Sequence, residues 1–115
     1  MEDHAGLRTE LRLLLETEAD IQVVGEAATG TEAVQLARAL RPDVVVIDLT
    51  LPGMNSLKAT TRITHDLPGS KVFMLVVEDD EQYRCQMFRA GAVGYVLKKA
   101  VDTTLVAAIR TAVRG

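Results

Sequence analysis

Leu7, Leu11, Leu14 and Leu15 recur at helical spacing, which predicts an amphipathic first helix with Asp3 ahead of it as a candidate N-cap. Ile21–Val24 is a short run rich in β-branched residues closed by Gly25, and it reads as a strand. Thr29-Gly30-Thr31 opens a second helix. With Thr31 as the cap, Glu32 comes too early for a capping box, so an ordinary cap is expected. Val34, Ala37 and Leu40 mark that helix's buried face, and Arg41-Pro42 ends it. Val44–Ile47, Lys71–Val77 and Val93–Leu97 are apolar on both faces, the pattern of parallel strands covered on each side. Between them, Leu57–Leu67 reads as a helix closed by Pro68-Gly69. Asp79-Asp80 is placed to cap another that runs to Ala90-Gly91. Val101, Leu105, Ala108 and Ala112 give the last helix its stripe.

Helices and strands thus alternate along the chain with short links. That order predicts an α/β domain, a doubly wound parallel sheet with helices on both faces and right-handed crossovers. No linker or low-complexity stretch interrupts it, so residues 1–115 are read as one domain with no effector domain. A functional edge is expected at the carboxyl ends of the strands.

Composition narrows the functions this edge can serve. The chain has 13 basic and 16 acidic residues, a net charge of −3, which is the wrong sign for a segment that grips nucleic-acid phosphates. Aromatic residues are 3% and tryptophan is absent, which argues against stacking platforms. No apolar run approaches the ~20 residues that cross a bilayer, and MEDHAGLRTE has no apolar stretch to act as a signal peptide. The single cysteine, Cys85, leaves no internal disulfide framework and is read as a structural thiol. These features together point to a cytoplasmic location.

Three polar features fall at the predicted strand ends: Asp48, Glu78-Asp79-Asp80, and Lys98. Glu2 and Asp3, ahead of the first helix, belong to the same rim. A carboxylate closing an all-apolar strand is costly to desolvate unless a cation pairs with it. Lys98 or a metal is the natural partner, and converging carboxylates form a hard oxygen site suited to Mg²⁺.

Val44-Val45-Val46-Ile47-Asp48-Leu49-Thr50-Leu51-Pro52-Gly53-Met54 resembles the phosphoacceptor segment of response-regulator receiver domains. Gly91-Ala92-Val93-Gly94-Tyr95-Val96-Leu97-Lys98 resembles their last strand with its lysine, and Glu2-Asp3-His4 looks like the acidic pair after their first strand. Val23-Val24-Gly25-Glu26-Ala27 and Ala108-Ile109-Arg110 are similar to the NarL/LuxR-type branch. The resemblance runs from Glu2 to Gly115 and implies a flavodoxin-like fold. It further implies that Asp48 takes a phosphoryl group from a sensor histidine kinase, the chain acting as acceptor and not as an enzyme. Mg²⁺ would be held by Asp3, Asp48 and the carbonyl of Thr50, with Glu2 acting through water, and Lys98 would contact the phosphoryl group. The family's switch positions fall on Val76 and Tyr95. Relatives of this branch usually continue into a DNA-binding domain, so a transcriptional role for a longer protein is expected.

The chain departs from the family pattern in three respects. The family opens with an apolar strand, central in its sheet, and only Met1 precedes Glu2 here. Losing five or six buried residues, at roughly 1.5–3 kcal/mol each, removes most of a domain's usual stability. Closure of the neighbouring strands, strand exchange in a homodimer, or a truncated or misassigned start would each resolve this, and the last is favoured. Val76 replaces a Thr or Ser and offers no hydroxyl to a phosphoryl oxygen. Ser56 replaces a Gly, and its neighbour Asn55 an Asp; Asn tolerates the left-handed region, so the loop is expected to absorb the change.

Simpler readings stand beside these. Asp48 ends a strand against loop amides; Glu2 and Asp3 are helix-capping charges; Lys98 and Lys99 form a solvated turn; Tyr95 is an edge aromatic. Met54, Met74 and Met87 are read as core or loop filler, and His4 and His65 lack the company of metal ligands. Thr50 stands where a haloacid-dehalogenase-type phosphatase needs a second aspartate. The alternative function is a pseudo-receiver, an interaction or dimerisation module indifferent to phosphorylation, motivated by Val76 and the missing strand.

Overall fold

In a computed structural model of the chain, residues 5–48 and 53–114 are described. The described residues form five α-helices and three strands, alternating from α2 onward: α1 (Ala5–Glu16), α2 (Gly30–Leu40), β1 (Val44–Asp48), α3 (Gly53–Asp66), β2 (Lys71–Val76), α4 (Glu81–Ala90), β3 (Gly94–Leu97) and α5 (Val101–Arg114). A single turn of 3-10 helix, Lys98–Ala100, joins β3 to α5. The strands form one parallel sheet in the order β1-β2-β3.

Alternation along the strands builds two cores. Ile47, Val72, Met74 and Val76 face Ala37 of α2, Ile63 of α3 and Met87 of α4. Phe73, Leu75 and Val96 face Leu105 and Ile109 of α5, with Leu11 and Leu15 of α1 packed alongside. Helices therefore cover both faces of the sheet, as the both-face apolar strands require. The register places Asp48 beside Leu75 and Val76 beside Leu97, so the carboxyl ends of all three strands meet at one edge.

The expected strand at Ile21–Val24 has no strand pairing among the described residues. A strand is defined by a hydrogen-bonded neighbour, and β-branching alone does not supply one. A groove of about 540 Å³ is lined by Ile21, Val23 and Val24 together with Val44–Val46 of β1. Val44–Val46 are consequently half-buried, although their sequence reads as fully interior.

Capping also differs from expectation at α2. Thr29, not Thr31, is the N-cap, and its hydroxyl accepts from the Glu32 backbone N–H at 3.2 Å. The Glu32 carboxylate reaches back to the Ala28 N–H at 3.3 Å, so Thr29 and Glu32 stand at capping-box spacing. At α4 the expected aspartate cap is Asp80, whose carboxylate accepts from the Gln82 N–H at 2.8 Å. Helix α3 starts at Gly53, four residues before the Leu57 read from the sequence. Ser56, Ala59, Thr60 and Ile63 form its buried stripe, and the two hydroxyl residues hide it from an apolar pattern. Cys85 is exposed, which corrects its reading as a structural thiol.

Gly91 ends α4 at φ 106°, in the left-handed region. A Cβ there would meet the Thr64 hydroxyl at 2.5 Å, and that hydroxyl already donates to the Ala90 carbonyl. Gly91→Ala is expected to destabilise the fold by about 1–3 kcal/mol, read as a lower urea midpoint with unchanged slope.

Arg110 of α5 grips Asp20 with two hydrogen bonds of 2.9 and 2.8 Å, tying α5 to the turn that follows α1. That guanidinium holds the Asp20 carboxyl below its ordinary 3.8. A depressed folded value contributes stability above the unfolded value and loses it as pH falls through the folded one. The pair is solvent-exposed, so the contribution is small and salt-sensitive. The thermal midpoints of the parent and Asp20→Asn are expected to differ at pH 6 and to converge in acid below the ordinary carboxylate range.

Candidate functional site

The strand edge brings together two residues 50 positions apart in sequence. Asp48 ends β1 with its side chain 1% exposed, and Lys98 follows β3 with its side chain 23% exposed. The Lys98 Nζ donates to the Asp48 Oδ2 at 2.6 Å, a charge-assisted hydrogen bond. Burial of a carboxylate at the end of an apolar strand demands such a partner, and the sheet register delivers it. The simpler reading of Lys98 as a solvated turn does not survive this contact.

The main chain of Asp48 is held from α3. The Ser56 hydroxyl donates to the Asp48 carbonyl at 2.6 Å, and both residues are fully buried. Thr60 donates in turn to the Ser56 carbonyl at 2.9 Å. Sequence reasoning treated Ser56 only as a tolerated replacement. Its role depends on the fold bringing the first turn of α3 under the end of β1, which no local pattern reveals.

The acidic run after β2 divides its work. Asp80 caps α4, whereas Asp79 accepts from the Tyr95 hydroxyl at 3.0 Å and lies 3.4 Å from the Arg84 guanidinium. Tyr95 is therefore tied to the β2–α4 connection. Val76 is 2% exposed at the end of β2, beside Leu97, one residue before Lys98. Glu2, Asp3 and Thr50 lie outside the described residues. His65 bonds to Asp66, and among the described residues no group of three or more His, Cys, Asp or Glu gathers in metal-binding proximity. Of the four proposed Mg²⁺ donors only Asp48 is described, and its carboxylate is a hard oxygen of the kind that ion takes. Among the described residues no helix is long and apolar enough to cross a membrane.

Comparisons with known proteins agree with this geometry. The family model for the response regulator receiver domain matches residues 1–110. The oxygen regulatory protein NreC of Staphylococcus carnosus is 42% identical over 99% of this chain, which covers 53% of that protein. The chain thus spans about half the length of the curated relatives it matches. A LuxR-family two-component response regulator from Aurantimonas superposes with a TM-score of 0.91 at 36% identity, covering 99% of this chain and 81% of that one. A DNA-binding LuxR-family response regulator from Staphylococcus aureus gives 0.87 at 25% identity, covering 97% and 93%. Receiver domains generally bind Mg²⁺ at the phosphorylation site and work with sensor histidine kinases. With its parallel sheet, its strand-edge Asp48–Lys98 pair and a family match over nearly its whole length, the chain belongs to the response regulator receiver domain family, in its NarL/LuxR-type branch.

Proposed function

We propose that Asp48 is the phosphoacceptor, receiving its phosphoryl group from the phosphohistidine of a sensor kinase. The observation that carries this reading is the buried Asp48 carboxylate paired with the Lys98 ammonium at the strand edge. A carboxylate oxygen of Asp48 attacks phosphorus, the P–N bond breaks with its electron pair going to the imidazole, and an acyl phosphate forms. Phosphoryl transfer asks mainly for positioning and positive charge. Lys98 supplies a point charge on a flexible stem that moves from the carboxylate to a phosphoryl oxygen as that charge arrives. Asp48, Asp3 and the carbonyl of Thr50, with Glu2 through water, are the residues that would hold Mg²⁺. Held by these residues, Mg²⁺ would supply positive charge to offset that of the phosphoryl oxygens.

Phosphorylation adds about two negative charges at the strand edge and draws Lys98 out of its present pair. Lys98 follows β3, which carries Tyr95, so the Tyr95–Asp79–Arg84 network is the element placed to feel the change. Val76 contributes volume but no hydroxyl to that coupling. The chain is read as the cytoplasmic receiver of a transcriptional regulator, itself making no direct contact with nucleic acid.

Beryllofluoride with Mg²⁺, a stand-in for the acyl phosphate, tests the reading by amide NMR. Shifts are expected around Lys98 and Tyr95 in the parent and none in Asp48→Asn. A folded parent whose spectrum does not respond would refute it.

A further inference from the structure

We infer that Ser56 is a positioning residue for the phosphoacceptor, a reading that rests on the assignment of Asp48 above. Three observations converge on it. The Ser56 side chain is fully buried, and its hydroxyl donates to the Asp48 carbonyl across eight residues at 2.6 Å. The Ser56 carbonyl accepts from the Thr60 hydroxyl, which also lies 3.9 Å from the Met74 sulfur on β2. The family pattern places a glycine at this position, and glycine has no side chain with which to make the link.

The hydroxyl ties the end of β1 to the first turn of α3. Fixing the Asp48 carbonyl restricts the backbone from which the acceptor carboxylate projects. Thr60 and Met74 brace the serine against β2, so the clamp is buttressed by the core. Hydrogen-bonded groups behind a ligating or reacting side chain hold its orientation, and losing one typically reduces affinity or activity by roughly 10- to 100-fold.

The test uses the full 115-residue chain as parent, Ser56→Ala, Ser56→Cys and Ile63→Val. Ile63 lies in the same helix, is 1% exposed and packs into the apolar core, so Ile63→Val reports general loosening of α3. Two quantities are read: the rate of phosphorylation by acetyl phosphate with Mg²⁺, and the dissociation constant of Mg²⁺ alone by calorimetry. Ser56→Ala is expected to slow phosphorylation and weaken Mg²⁺ binding, each roughly tenfold. Ser56→Cys, nearly isosteric with a weaker donor, should fall between, and it carries the test if the alanine variant does not fold. Ile63→Val should keep both parental values. Parental rate and affinity in the serine variants, or equal losses in Ile63→Val, would overturn the positioning role while leaving Asp48 as acceptor. A parent that takes up no phosphoryl group would overturn both.

Discussion

Asp48→Asn is expected to reduce phosphoryl uptake from acetyl phosphate or a cognate kinase to background while the protein stays folded. Asparagine keeps the shape of the side chain but replaces a carboxylate nucleophile with a neutral amide. The Ser56 hydrogen bond goes to the Asp48 main-chain carbonyl, so it survives the substitution. Asp80 is committed to capping α4, and Asp79 is held by Tyr95 and Arg84. Phosphate-affinity electrophoresis reads the result directly: a shifted band in the parent and none in the variant. A shifted band of equal intensity in both would place the acceptor elsewhere.

Lys98→Met is expected to produce the largest change in stability. The substitution keeps the apolar stem and removes the ammonium that lies 2.6 Å from a carboxylate only 1% exposed. Breaking a buried ion pair from one side destabilises by about 3–5 kcal/mol, because the remaining charge stays in a poor solvent. Lys98 retains some access to water, with 23% of its side chain exposed, which favours the lower end of that range. A loss of about 3 kcal/mol corresponds to a fall of roughly 10 °C in Tm for a domain of this size. The double variant Asp48→Asn with Lys98→Met should recover much of the loss, since it leaves no buried charge from the pair. Thermal melts of the four proteins form a double-mutant cycle. Coupling near zero would mean that the pair contributes nothing to the fold.

The sequence showed most clearly what local pattern controls. Val44–Ile47, Lys71–Val77 and Val93–Leu97 read as strands because residues buried on both faces cannot alternate with polar ones, and β1, β2 and β3 follow them closely. The Asp48–Lys98 pair was legible because each residue closes an apolar run, and parallel strands put their carboxyl ends on one edge. Ile21–Val24 has the composition of a strand, but pairing depends on a neighbour elsewhere in the chain. The cap at α2 was misplaced by two residues because Thr29 and Thr31 are chemically alike, and only the backbone geometry separates them. Ser56 and Thr60 lie in the buried stripe of α3, where their hydroxyls answer to main-chain carbonyls and break the apolar pattern. The Tyr95–Asp79–Arg84 network joins residues from three successive elements, so its existence waits on the packing of α4 against β3.

These points share one cause. Strand and helix periodicity are properties of neighbours in sequence, whereas the clamp on Asp48 and the tether on Tyr95 are properties of neighbours in space. The Asp48–Lys98 pair spans both kinds, because topology alone sets the strand ends side by side.

The most direct test of the account is to locate the phosphoryl group. The protein is phosphorylated with acetyl phosphate and Mg²⁺, the acyl phosphate is reduced with borohydride, and the digested peptides are sequenced by mass spectrometry. Reduction converts a phosphorylated aspartate to homoserine, and the account predicts that conversion at position 48, with the Asp48→Asn protein unmodified. Homoserine at Asp79 or Asp80, or a folded parent that acquires no phosphoryl group, would contradict it.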